Sequence, residues 1–80
     1  MTFGPWSPGI DPAERLARLR SMRALALVHC RLETGFLESL QRAETDATAL
    51  PAAFEQLERL PALRRRHLLA TYAQLLGGAS

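Results

Sequence analysis

The sequence predicts an all-α fold, either a helical hairpin or a three-helix bundle with one long N-terminal helix followed by a short pair of helices. Fifteen Leu, thirteen Ala and ten Arg make up 38 of the 80 residues, and all three types favour helices. The chain has one Ile and one Val, so residues that favour strands are scarce. This composition argues against an all-β domain, a collagen-like repeat or a fully disordered chain. Eighty residues suffice for one small domain.

Residues 1–10 are predicted to form a flexible arm, because Pro5 and Pro8 interrupt any helix there. Phe3 and Trp6 are its aromatic side chains. Small domains need every apolar contact that they can bury, which favours an arm folded back over the core. The alternative is that both aromatic residues enter a groove of a partner protein, so they are candidate partner-binding residues.

A single long helix is predicted over about residues 11–43. Asp11 suits the N-cap position, Pro12 suits the first helical position, and Glu14 falls where a capping box places an acid. Gly35 is the weak point, because glycine costs about 1 kcal/mol relative to Ala in a helix interior. Any bend or break is therefore expected at Gly35.

The apolar residues of this helix cover more than half of its circumference when they are placed at about 100° per residue. One stripe consists of Met22, Leu25, Val28, Leu32, Phe36 and Leu40. The second stripe consists of Leu16, Leu19, Ala26, Cys30 and Leu37. Either the helix is central and the other helices cover both stripes, or one stripe binds a second chain.

Two shorter helices are predicted after a polar link. Pro51 and Pro61 each suit the first turn of a helix, which predicts helices at about 51–59 and 61–76. Gly77 suits the end of the last helix, and residues 77–80 form a tail. The helical domain is thus expected over residues 11–76.

The net charge of +2 conceals three segregated segments. Residues 11–31 carry +3, residues 32–58 carry −5 and residues 59–80 carry +4. If the last helix returns antiparallel along the first, the basic run 64–66 lies beside Glu38 and Glu44 and is paired within the chain. The arginines between residues 15 and 23 have no acidic partner in that arrangement. They are expected to face a second copy, an acidic partner protein or nucleic acid.

No cofactor, metal site or enzymatic activity is expected. His29, Cys30 and His67 are the soft metal ligands, and the adjacent His29 and Cys30 point about 100° apart on a helix, which disfavours a shared ion. Cys30 lies on an apolar stripe, where burial makes a thiol inert. No apolar run is long enough to span a bilayer, and the N-terminus does not resemble a secretory signal. A cytoplasmic location is expected.

These patterns favour a small non-enzymatic protein-binding module, such as an adaptor, a chaperone or co-chaperone, or an inhibitor of a larger complex. Its partner is expected to be another protein, a second copy of the chain, or both. The candidate partner-binding residues are Phe3, Trp6, Arg15, Leu16, Leu19, Arg23, Ala26, Cys30 and Leu37. The alternative is an arginine-rich nucleic-acid-binding or regulatory protein that uses Arg15, Arg18, Arg20, Arg23 and Arg31. A small all-α enzyme that works as a dimer is the weaker second alternative.

Overall fold

Four α-helices joined by short turns make up most of the described chain, which confirms the all-α prediction. The computed structural model describes the backbone of residues 4–77 and the side chains of residues 4–75. Two short 3-10 turns lie at Gly4–Trp6 and Ala47–Ala49. The helices are α1 (Pro12–His29), α2 (Thr34–Thr45), α3 (Leu50–Glu58) and α4 (Ala62–Gly77).

The predicted single helix over 11–43 is wrong, because the chain leaves the helical conformation between α1 and α2. Cys30 donates its N–H to the Ala26 carbonyl at 2.7 Å and then adopts φ −133° and ψ 36°, which ends α1. A turn closed by the Glu33 N–H and the Cys30 carbonyl, at 2.9 Å, connects the two helices. The break therefore precedes Gly35, the residue at which the sequence predicted it.

Apolar burial explains this break. On one continuous helix the two apolar stripes would point in different directions, and the short helices that follow could not cover both. After the break, Met22 and Ala26 of α1 share one buried cluster with Phe36 and Leu40 of α2. Burying each of the larger side chains is worth about 1.5–3 kcal/mol, against about 0.5–1.5 kcal/mol for each helical hydrogen bond that the turn gives up.

The first three helices run in alternating directions. Glu44 near the end of α2 lies 2.9 Å from Nε of Arg23 in the middle of α1, so α2 returns along α1. Gly35 at the start of α2 faces Gln56 near the end of α3, so α3 is antiparallel to α2. A Cβ atom at Gly35 would lie 3.3 Å from Oε1 of Gln56, which makes glycine suitable for this close helix contact.

Helix α4 packs against α1, also in the antiparallel sense. Arg64 at the start of α4 lies 2.7 Å from the carboxylate of Glu33, just beyond the end of α1. Tyr72, two turns later, lies against Gly4 of the N-terminal segment, which packs on α1. The last helix therefore returns along the first.

The alternating directions give the molecule two different ends. The connections at residues 30–33 and 59–61 lie at one end, which we call the turn end. The N-terminal segment 4–10 and the link 46–49 lie at the opposite end, which we call the arm end. The described chain thus has four alternating helices where the sequence predicted a helical hairpin or a three-helix bundle.

Residues 4–10 are docked on the helices, as the favoured folded-back arrangement predicted, so this segment is not a free flexible arm. The Trp6 side chain is 5% exposed, and its indole Nε1 donates to the Leu50 carbonyl at 2.9 Å. Its ring meets Phe54 edge to face, with ring centroids 5.3 Å apart. The indole therefore joins the N-terminal segment to the start of α3.

Gly4 permits a second close contact of this segment. Its φ is +50°, and a Cβ atom there would lie 3.0 Å from ring atoms of Tyr72. Burial raises the pKa of Tyr72 to about 12, with Arg18 opposing the shift and Glu14 adding to it. Phe3, the other predicted aromatic anchor of the arm, lies outside the described residues.

The core draws on all four helices and on the N-terminal segment. Its buried members are Trp6, Leu19, Met22, Ala26, Cys30, Phe36, Leu40, Ala43, Ala49, Ala53, Leu57, Leu60, Leu68 and Tyr72. The charged side chains of the described residues all lie outside this cluster. Some of these charged side chains therefore make contacts at the surface of the chain, and the others are exposed to solvent.

Candidate partner-binding surface

Three members of the predicted partner-binding stripe belong to the core of the chain itself. Leu19, Ala26 and Cys30 are each at most 1% exposed. The prediction assumed a helix that the rest of the chain could not cover, but the return of α2 covers this stripe. These three residues are therefore not part of the folded surface, and the same holds for Trp6.

The thiol of Cys30 is buried where α1 ends. Burial raises its pKa and the nearby Glu33 carboxylate acts in the same direction, while Arg64 opposes both. A raised pKa keeps the thiol protonated at neutral pH, and a protonated thiol is a poor nucleophile. Cys30 thus packs in the core and is not chemically activated.

The first two arginines of α1 hold the N-terminal segment. Arg15 donates from Nε to the Pro5 carbonyl at 3.0 Å and from Nη2 to the Ser7 carbonyl at 2.9 Å. Arg18 donates to the Gly4 carbonyl at 3.1 Å. The sequence carries no signal for these bonds, because main-chain carbonyls exist at every residue.

The next two arginines of α1 pair with α2. Glu44 lies 2.9 Å from Nε of Arg23 and 3.7 Å from Nε of Arg20. The sequence predicted that these arginines face a second copy, an acidic partner protein or nucleic acid, whereas the hairpin supplies an acidic group from the same chain. Arg31, the last residue of the predicted nucleic-acid-binding set, is exposed at the turn end.

The basic run at the start of α4 is partly engaged within the chain. Arg64 pairs with Glu33, rather than with the Glu38 or Glu44 that the sequence predicted. Arg65 donates to the Glu58 carbonyl at 2.8 Å and so braces the connection between α3 and α4. The third arginine of the run is exposed.

A groove of about 220 Å³ lies along the outer seam between α1 and α2, and we call it the seam groove. Leu27 and Leu37 supply its apolar surface, and Leu27 is 54% exposed. Residues three or four apart occupy one face of a helix, and the lining residues follow this spacing on both helices. The full lining consists of Arg23, Leu27, Thr34, Leu37, Glu38 and Gln41.

The sequence identified Arg23 and Leu37 as candidate binding residues. It did not identify the other four lining residues, Leu27, Thr34, Glu38 and Gln41. Leu27 falls outside both apolar stripes of the predicted long helix. Its four-residue spacing from Arg23 was visible in the sequence, but the groove exists because α2 returns beside that face. No local pattern contains that information.

A second cleft, of about 230 Å³, lies on the same seam at the arm end. Leu16, from the predicted stripe, lines it from a half-buried position, opposite residues 43–47. Arg15 also lines it, but its guanidinium is already bonded to the N-terminal segment. The seam groove therefore offers the more accessible apolar surface.

The described residues contain no group of three or more His, Cys, Asp or Glu side chains that could hold a metal ion. None of the described helices is both long enough and apolar enough to cross a membrane. No protein-family model, curated protein or solved structure matches the chain.

Proposed function

We propose that this protein is a small non-enzymatic binding module that receives an amphipathic helix of another protein in the seam groove. The apolar surface of Leu27 and Leu37 between two antiparallel helices is the observation that carries the proposal. Grooves between helices commonly receive the apolar face of a third helix. An adaptor, a chaperone or co-chaperone, or an inhibitor of a larger complex would each use such a contact, and we propose that it does so in the cytoplasm.

The size of the groove favours a protein side chain over a small molecule. Its volume of about 220 Å³ is below the roughly 300–1,000 Å³ that small-molecule sites usually have. One large apolar side chain of a partner helix would fill it. The neighbouring turns of that helix would lie over the exposed margins of α1 and α2.

The charges at the margins would orient the partner. Arg23 lies on the α1 side of the groove, and Glu38 lies on the α2 side. Charge complementarity contributes more to register and specificity than to affinity. We therefore expect a partner helix with a basic residue towards Glu38 of α2, since Arg23 on the α1 side already pairs with Glu44.

Nucleic-acid binding by the predicted arginine set has less support. Arg15 and Arg18 donate to carbonyl groups of the chain, and Arg20 and Arg23 pair with a carboxylate. These four side chains would have to leave their present partners to reach phosphate groups. An enzyme has less support for a different reason, since the Cys30 thiol is buried and held in its protonated form.

Photo-crosslinking followed by affinity measurement tests the proposal. A photoreactive amino acid is placed at Leu27, and in a matched protein at Val28, which is 74% exposed on the same helix. We expect a protein adduct from position 27 that position 28 does not form. The purified partner should then bind Leu27→Glu at least about tenfold more weakly than the natural chain, since a central interface anchor is commonly worth about 2 kcal/mol or more. Val28→Glu should bind within about twofold.

Three outcomes would contradict the proposal. Equal adducts from positions 27 and 28 would show that contact is not specific to the seam groove. If Leu27→Glu and Leu37→Glu both bound the partner with unchanged affinity, neither leucine would be an anchor of the interface. An adduct between two copies of the chain, with no other protein, would replace the partner helix by self-association.

A further inference from the structure

The net positive charge of the protein is concentrated at the turn end. Residues 28–33 and 58–67 contain five Arg and two Glu, a charge of +3, whereas the rest of the chain carries −1. The ion pair between Arg64 and Glu33, at 2.7 Å, holds these two segments side by side. Gly35 faces Gln56, which places the end of α3 at the same end of the molecule.

The same two segments expose aliphatic side chains. Leu32 is 77% exposed, Val28 is 74% exposed and Leu63 is 62% exposed. Leu32 lies in the connection between α1 and α2, and Leu63 lies in the first turn of α4. None of the three lines the seam groove or the cleft at the arm end. All three are therefore exposed at the turn end and lie outside both grooves.

The arginines of the turn end fall into two groups. Arg64 pairs with Glu33, and Arg65 donates to the Glu58 carbonyl. These contacts brace the connections that meet at the turn end. Arg31, Arg59 and Arg66 are exposed beside the projecting aliphatic side chains. Cationic and apolar groups are therefore presented together on a braced end of the fold.

We propose that the turn end is a contact surface for an anionic lipid bilayer. The headgroups of anionic lipids attract arginine near the membrane surface, and the boundary with the acyl chains accepts projecting leucine and valine side chains. Nucleic acid would satisfy the arginines and leave the aliphatic side chains in water. A folded protein partner would need a pocket for each projection, whereas a bilayer deforms around them.

Vesicle sedimentation with the full chain tests this proposal. The probes are vesicles of phosphatidylcholine alone and vesicles of phosphatidylcholine and phosphatidylglycerol in equal parts. We expect binding to the anionic vesicles, weaker binding at high salt, and little binding to the neutral vesicles. Arg31→Gln combined with Arg66→Gln should lower the vesicle affinity about 25-fold, since each arginine near an anionic surface is worth about fivefold. Leu32→Ser should lower it about tenfold.

Matched controls lie away from the turn end. Leu75→Ser changes an exposed leucine near the other end of α4, and Arg42→Gln changes an exposed arginine near the other end of α2. Both should leave vesicle binding within about twofold of the natural chain. Circular dichroism verifies that each variant remains folded.

Several results would overturn the proposal. Equal binding to neutral and anionic vesicles would contradict it. Equal losses of vesicle affinity in Leu32→Ser and Leu75→Ser would also contradict it. A third contrary result is that the natural chain binds duplex DNA but not vesicles, and that Leu32→Ser binds the DNA equally well. The arginines would then be assigned to nucleic acid. The test is independent of the partner helix, because Leu37→Ser removes a groove anchor and leaves the charge and the exposed aliphatic side chains of the turn end unchanged.

Discussion

The arm end and the turn end use arginine in opposite ways. At the arm end, Arg15 and Arg18 donate to main-chain carbonyls of the N-terminal segment. At the turn end, Arg31 and Arg66 are exposed. The ten arginines of the chain therefore do not form one basic surface. Arg15 and Arg18 hold the N-terminal segment, whereas Arg31 and Arg66 remain accessible to a partner.

Among the described residues, the most exposed large apolar side chains lie at the turn end. Trp6 and Tyr72 are buried at the arm end, whereas Leu32 and Leu63 are exposed at the turn end. A small domain has little surplus stability and is expected to bury the apolar groups that it can. Changes at the arm end should therefore affect stability, and changes at the turn end should affect binding.

The largest expected difference is between Trp6→Ala and Leu32→Ala. Removing a buried indole should lower the free energy of unfolding by about 3–5 kcal/mol, since it leaves a cavity and removes the contact with Phe54. Leu32→Ala should change the same quantity by less than about 0.5 kcal/mol, since the side chain is exposed. Urea denaturation measures both values. Similar losses would contradict the division between the two ends.

A smaller difference is expected between Arg15→Gln and Arg31→Gln. The first variant loses charged hydrogen bonds to the Pro5 and Ser7 carbonyls, which at a half-buried site should cost about 1–2 kcal/mol. The second should change the free energy of unfolding by less than about 0.5 kcal/mol. Denaturant unfolding under identical salt conditions checks the comparison. A larger loss in Arg31→Gln would reverse the roles assigned to the two arginines.

A third effect concerns the middle of the α1–α2 seam. A double-mutant cycle with Arg23→Gln and Glu44→Gln should give a coupling free energy of up to about 1 kcal/mol, as is usual for ion pairs near the surface. The coupling should decrease at high salt. A coupling free energy of zero at low salt would show that this pair does not help to fix the hairpin.

The smallest effect at neutral pH concerns Tyr72, the single tyrosine of the chain. Burial raises its pKa from 10.0 to about 12. Because the pKa of Tyr72 is higher in the folded state, the contribution of the protonated side chain to the free energy of unfolding is complete below pH 10. That contribution is lost as the pH rises towards 12. The ultraviolet absorbance of tyrosinate follows the titration in native and urea-unfolded protein. Titration at the ordinary value in the native protein would contradict the burial of this ring.

Local signals in the sequence predicted the helix starts better than the turn between α1 and α2. Helix α1 begins at Pro12 with Asp11 at the N-cap position, although the Asp11 side chain makes no capping hydrogen bond. Nothing in the segment from Cys30 to Glu33 is glycine or proline, so no local rule predicts a turn there. The turn results from burial between residues that are distant in the sequence.

The same limit applies to the candidate site. Arg23 and Leu37 were identifiable because they lie on or beside an apolar stripe. Leu27 lines the groove because α2 lies beside it, and Leu19 is buried in the core because α2 packs against α1. Side chains that bind main-chain carbonyls, such as Arg15, have no sequence pattern that distinguishes them from solvated arginines.

The central claim is that the chain covers most of its own apolar stripes by folding α2 back along α1, with Val28 and Leu32 left exposed. The absolute mass in solution, measured by light scattering behind a sizing column at low and high salt, tests it most directly. We expect the mass of a monomer, 8.9 kDa, under both conditions. A dimer that persists at high salt would contradict the claim, because a second copy would then cover the stripes of a continuous helix.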